Sequence, residues 1–366
     1  PVVHWGDFPT PVNNSCVRGQ RGTAEPVTSI SLASATGHHA RPASLMRAAV
    51  ALLVGLVVVA AQRSKPNSKP WRRRSNATTY VSQLEHLYSL ELQHDEDRVR
   101  QLLLTHRCEA VYLDVGSNIG VQIRKLFEPR KYPGAPVHSL FTETFASTDR
   151  CRVCAIGVEP NPRHRNRLSQ LQTRLTAAGA GVTVFEAAAG SADGVLTLQY
   201  GARKSNFEDA GASTLGIGRY RGHDEVVVRM LRLSRLVRLV RAQLDVTARR
   251  AGTPPGQRAG KILMKLDIEG SEWTVLTDLM DSGALCAVDS VFVEYHDADF
   301  ERIGAQAGSL RRAALVTMRD AVRSLRTTIS AALGAEGSCP TRVVDLDDET
   351  FMRDPAPWPD GSVCAK

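Results

Sequence analysis

A chain of 366 residues, 43% apolar and 23% charged, is neither fibrous nor wholly disordered, and it can bury one full catalytic core with an extension to spare. Its net charge of +8 suits an acidic partner, but solvated surface arginines give the same balance, so charge does not select nucleic acid. Internal repeats are absent.

Residues 1–45 are rich in Ser, Thr, Ala, Gly and Pro and show no periodicity. They read as a disordered or non-native leader ahead of the first methionine, Met46, with an organellar transit peptide as the competing reading. Residues 46–62 hold an unbroken apolar segment of 14 residues, Ala48 to Ala61. That length fits a signal-peptide core, and it also fits a short Golgi-type signal anchor in a thin membrane. Residues 63–78 form a basic, Pro-containing stem that ends in the glycosylation sequon Asn76-Ala77-Thr78. The expected localisation is the secretory pathway, as a single-pass Golgi membrane protein, with a secreted or organellar protein as the alternative. Cys108, Cys151, Cys154, Cys286, Cys339 and Cys364 are an even set that an oxidising compartment could pair, in an order the spacing leaves open. The Cys151-Arg152-Val153-Cys154 spacing lacks a second Cys/His pair close by, and no metal is expected.

Residues 79–366 read as one α/β domain. Apolar positions from Val81 to Leu103 recur at helical spacing, which predicts a lead-in helix over 79–106. Val111 to Val115 is a short β-branched run that carries Asp114 near its end, passes Gly116, Ser117, Asn118 and Gly120, and enters a helical pattern at Val121. A strand, a glycine turn and a helix start form the geometry with which α/β proteins hold a nucleotide-like ligand. A second run, Val153 to Val158, ends in Glu159-Pro160-Asn161-Pro162, placing an acid where nucleotide folds bind a ribose. A third, Val182 to Ala189, is followed by Asp193; a fourth, Lys261 to Leu266, runs into Asp267-Ile268-Glu269-Gly270-Ser271-Glu272; a fifth, Val288 to Val293, ends in Glu294-Tyr295-His296. Five strands with polar carboxyl ends predict one crevice along a parallel sheet. Between the third and fourth, Gly201 to Asp224 reads as a loop over the crevice and Thr247 to Gly260 as a linker. Arg232, Arg235, Arg238 and Arg241 recur at every third position, either as an anion-binding helix face or as the solvated side of a packed helix.

Three of these motifs together resemble S-adenosylmethionine-dependent methyltransferases of the FkbM type. Leu113 to Gly120 is similar to the family's D-V-G-A-N-I-G turn, Val158 to Pro162 to its E-P-N-P, and Lys265 to Glu272 to its K-I-D-V-E-G-A-E; the tail Asp347-Asp348-Glu349 looks like that of eukaryotic members. The chain departs from the pattern where Ser234 follows Leu233 in place of an Asp, and where Glu128 to Arg150 separate the first helix from the second strand. The resemblance implies a Rossmann-like class I methyltransferase fold, a central, mostly parallel sheet with helices on both faces. It implies S-adenosyl-L-methionine as cofactor, over Asp114, Gly116, Asn118 and Gly120, with its ribose against Glu159 and with Asn161 and Asp193 beside it.

On the acceptor side, Asp267 and Glu269 alternate along the chain and share a face. His296 is the expected general base, since imidazole titrates near neutrality. The expected reaction is O-methylation of a hydroxyl on a carbohydrate or lipid acceptor of the secretory pathway, with membrane association through 48–61 and no nucleic acid partner. Two other readings stay open: a Golgi glycosyltransferase holding a metal at Asp297 and Asp299, and a non-catalytic binding module on a cofactor fold.

Overall fold

The computed structural model describes residues 77–199, 225–254, 258–296 and 339–348, with single positions between and beyond them as far as Cys364. The leader, the apolar segment, the stem with Asn76, the loop over 201–224 and the pair Asp297 and Asp299 lie outside the described residues. Among those described, no helix is long and apolar enough to cross a membrane.

The fold is α/β, built on a six-stranded sheet with helices around it. Its strands are β1 (Ala110–Val115), β2 (Val153–Val158), β3 (Val182–Phe185), β7 (Lys261–Leu266), β8 (Ser290–Val293) and β9 (Arg342–Asp345). They lie in the order β3-β2-β1-β7-β8-β9, and every pairing is parallel. The order steps outward from β1 in both directions, so the switch point falls between β1 and β7, where α/β sheets open a ligand crevice. β1 and β2 are buried at every position, as near-continuous apolar runs with both faces covered must be.

The lead-in helix α1 (Ala77–Thr105) packs against β3. Helices α2 (Val121–Phe127), α3 (Val137–Phe145) and α4 (Arg165–Ala177) meet one face of the sheet in a core that includes Tyr112, Ile123, Phe141, Leu171, Val184 and Phe292. The inserted segment after Glu128 therefore contributes α3 to this core. Helices α5 (Leu233–Arg250) and α6 (Glu272–Asp281) pack on each other, and α5 on α1.

The third predicted strand divides. Its first half is β3, whereas Ala188–Gly190 forms β4 in a second sheet. There β4 pairs with β6 (Glu225–Arg232), which pairs in turn with β5 (Gly194–Gln199). The break at Glu186 redirects the chain, and Glu186 pairs outward with Arg165 at 2.5 Å. The linker expected from Thr247 also begins later, because α5 continues to Arg250.

Every one of the four periodic arginines is spent within the fold. Arg232 pairs with Asp278, Arg235 with Glu96 and Asp193 at 3.3 and 3.2 Å, and Arg241 with Asp289 at 2.9 Å, while Arg238 donates to the Ser282 carbonyl. The spacing thus latches α5 to its neighbours and leaves no open anion-binding face.

Three disulfides close the domain: Cys108–Cys154, Cys151–Cys364 and Cys286–Cys339. Cys151 and Cys154 bond to different partners, so their close spacing is not a redox pair. The Cys151 bridge ties the C-terminal segment across α2 and α4. Under that segment Lys125 meets Asp348 at 2.9 Å and Arg124 meets Asp354 at 2.8 Å, with these side chains 0–1% exposed. Trp358 lies against the guanidinium groups of Arg124, Arg167 and Arg174.

Candidate functional site

The turn after β1 is shaped by backbone conformations that few side chains adopt. Gly116 and Gly120 sit at φ +85° and Asn118 at φ +51°. At Gly116 a Cβ would stand 1.7 Å from the Asp267 carbonyl oxygen, so the turn and the loop after β7 touch through backbone alone. Ser117 closes the turn by donating its hydroxyl to the Asp114 carbonyl at 2.7 Å, while the Gly116 and Ser117 N–H groups donate to the Val158 carbonyl.

Glu159 faces this turn from the end of β2. Its carboxylate accepts the Asn118 N–H at 2.7 Å and the Asn161 N–H at 2.8 Å, one on each oxygen. Asn161 in turn holds the entry to α4, accepting the Arg163 N–H at 3.0 Å and meeting the His164 ring at 3.2 Å. Burial pushes the Glu159 carboxyl up to about 7 against both backbone N–H groups, and the Asp114 carboxyl up to about 6. Asp114 Oδ1 accepts the Tyr112 hydroxyl, whereas Oδ2 has no hydrogen-bond partner among the described residues. Buried carboxylates kept at such a cost mark a working site.

Between the turn and the loop after β7 lies an open cleft, lined by residues that include Gly116, Asn118, Glu159, Asn161, Asp267 and Glu269. The retained lone pairs of Glu159 suit ribose hydroxyls, and the glycine turn leaves room for backbone approach. The residues present therefore fit S-adenosylmethionine.

Asp193 belongs elsewhere. It accepts the Arg232 N–H at 2.9 Å and pairs with Arg235, pinning the start of α5 to the second sheet, and it does not line the cleft. Its position after an apolar run looked like that of Glu159, but the chain had already left the main sheet at β4.

On the other wall the strand ends converge. Buried Lys265 donates to Asp267 Oδ2 at 2.6 Å and to the Gly116 carbonyl at 3.0 Å; burial works against its charge, but Asp267 and Asp114 hold it above the ordinary lysine value. His296 Nδ1 meets Glu272 Oε1 at 2.9 Å, and its Nε2 has Glu269 and Glu294 oxygens at 3.6 Å and an Asp267 oxygen at 3.9 Å. Glu272 also caps its own loop by accepting the Ile268 and Gly270 N–H groups.

This crowding overturns the role expected for His296. Burial disfavours the imidazolium, but the Glu272 hydrogen bond and the charges of Glu272, Glu269 and Asp267 outweigh it and push His296 up to about 10. An imidazole protonated at neutral pH accepts no proton. Burial, with Asp267 beside it, pushes Glu294 up to about 8. The sequence showed that these residues end adjacent strands; it did not show how many carboxylates would surround one ring.

A parallel sheet with a glycine turn after its first strand and a carboxylate at the tip of its second is the arrangement with which many α/β proteins hold nucleotide-like ligands. The model of the methyltransferase FkbM domain matches residues 114–324, and the chain belongs to the FkbM methyltransferase family. That match supports a methyltransferase. Neither a curated protein nor a solved structure matches the chain.

Proposed function

We propose that this protein is an S-adenosylmethionine-dependent O-methyltransferase of the secretory pathway that methylates a hydroxyl of a carbohydrate or lipid. The observation that carries the reading is Glu159, a buried carboxylate held by two backbone N–H groups against the glycine turn and lining an open cleft. When bound, the cofactor supplies an electrophilic methyl group on a sulfonium. The chain's own task is then to hold an acceptor oxygen in line and to take its proton, and proximity supplies roughly 7–11 kcal/mol of the barrier in such reactions. Glu269, on the cleft wall, is the proton acceptor in this reading, and Asp267, fixed by Lys265, orients the acceptor. Three disulfides support an oxidising compartment, in keeping with the apolar segment at 48–61 as a Golgi anchor.

Calorimetry should show S-adenosylmethionine binding, weakened roughly tenfold to a hundredfold in Glu159→Ala as a charged hydrogen-bond acceptor is lost. Labelled donor should transfer to a glycan or lipid fraction. Unchanged affinity in the folded variant sinks the cofactor assignment; transfer confined to RNA or protein sinks the acceptor assignment.

Donor affinity should also depend on pH. Ribose hydroxyls donate to the ionised Glu159 carboxylate, which takes up a proton as pH falls through about 7. Affinity should therefore fall roughly tenfold between about pH 8 and about pH 6, and Glu159→Gln should flatten the profile. For folding the sign is opposite. The raised value makes protonated Glu159 favour the folded state, a contribution present at low pH and lost as pH rises through about 7.

A further inference from the structure

Beside the cleft, Asp267, Glu294 and His296 each offer one donor atom, and these atoms lie within 4.8 Å of one another. Glu294 Oε1 stands 3.6 Å and Asp267 Oδ1 3.9 Å from His296 Nε2. Both separations exceed a charge-assisted hydrogen bond of about 2.7–2.9 Å. Two ligands of one cation, each about 2.0–2.6 Å from it, stand roughly 3–4 Å apart.

The imidazole is already oriented as a ligand. Its Nδ1 is engaged by Glu272, which is itself fixed by two backbone N–H groups, and Nε2 points among the carboxylates. A carboxylate behind a ligating imidazole is the recurring outer contact of protein metal sites. Charge points the same way. Four carboxylates (Asp267, Glu269, Glu272 and Glu294) gather around His296, and Lys265 is committed to one Asp267 oxygen; Asp114, whose charge also acts on Lys265, keeps a buried Oδ2 with no hydrogen-bond partner among the described residues.

We propose that Asp267, Glu294 and His296 bind a divalent cation of the magnesium or manganese class, which receives the acceptor's oxygens. Carboxylate-rich sites favour these hard ions, and binding displaces the Nε2 proton. The site shares Asp267 with the cleft wall, so the ion faces the acceptor. It selects acceptors with two adjacent oxygens, such as neighbouring hydroxyls of a sugar ring. A hydroxyl on the ion becomes more acidic: its proton passes to Glu269, its oxygen forms the bond to the methyl carbon, and the carbon–sulfur bond breaks with its electron pair left on sulfur. The use of the ion rests on the methyltransferase reading; its binding does not.

The test is titration of the full-length protein with Mn²⁺ alone, followed by the electron paramagnetic resonance of the free ion. One site is expected, weakened roughly tenfold or more in Glu294→Gln and in His296→Ala. Thermal unfolding and S-adenosylmethionine binding should persist in both variants, which shows that they fold. Absent Mn²⁺ binding, or affinity unchanged in both variants, overturns the site. Methyl transfer that proceeds undiminished in excess chelator overturns its catalytic use. If the donor binds and Mn²⁺ does not, the cation alone is lost; if Mn²⁺ binds and the donor does not, the methyltransferase reading falls and the cation site stands.

Discussion

Gly116→Ala is expected to abolish donor binding and to destabilise the domain by at least about 3–4 kcal/mol. Two costs combine at this position. The residue sits at φ +85°, and its Cβ would lie 1.7 Å from the Asp267 carbonyl oxygen and 2.8 Å from the carbon behind it. That neighbour is backbone at the end of β7, paired along its length with β1, so it moves only if the central strands part. Relief of the clash would displace the turn and the Asp267 wall together, and a misplacement of about 1 Å is worth roughly a hundredfold in such sites. Gly134→Ala supplies the comparison. Gly134 has φ +76°, but a Cβ there would meet nothing within 4 Å, so it should lose only the backbone term of about 1–2 kcal/mol. Urea unfolding and calorimetry measure both. Equal losses in the two variants would show that strain, and not the close approach of turn and loop, governs Gly116.

Asp354→Ala should cost about 3–5 kcal/mol. Both Asp354 oxygens accept from Arg124 Nη1 at 2.8 Å, and Asp354 also accepts from the Tyr132 hydroxyl and from Arg167. The Arg124 side chain is 1% exposed and that of Asp354 is fully buried. Glu128, at 2.7 Å from Arg124, also pairs with Lys131, so it does not by itself neutralise the cluster. Removal of Asp354 leaves buried Arg124 with Glu128 as its one remaining carboxylate among the described residues, which Lys131 already shares, and that loss costs more than the pair contributes. The double variant Arg124→Met with Asp354→Leu should therefore be more stable than Asp354→Ala alone. A single-variant loss below about 1 kcal/mol in urea unfolding with disulfides intact would show that the C-terminal segment is not held by this pair.

The glycine turn and the carboxylate facing it were legible in the sequence because each is local. Asp114 to Gly120 and Glu159 to Asn161 each lie at the end of one strand, where a few consecutive residues carry both the turn and the chemistry. Strand ends at Val115, Val158, Leu266 and Val293 were likewise readable from apolar runs that stop at polar residues. The C-terminal strand β9 was not. Its four residues, Arg342 to Asp345, hold only two apolar positions and no alternation, and only pairing with β8 makes them a strand.

Asp193 and His296 were misread for different reasons. Asp193 follows an apolar run as Glu159 does, but a change of sheet shortly after β3 carries it away from the cleft. His296 was given the pKa of an isolated imidazole, because no linear pattern shows Glu269, Glu272 and Glu294 closing on it from two loops.

The sequence by itself determined the fold class, the glycine turn and the acid at the tip of β2, since these depend on backbone conformation and on neighbours within a few residues. The tertiary structure alone decided which cysteines pair, where the arginines of α5 are spent, and what charge His296 carries. Those properties depend on distances between residues 20 to more than 200 positions apart, and electrostatic and covalent partners are chosen by proximity in space, not by spacing along the chain.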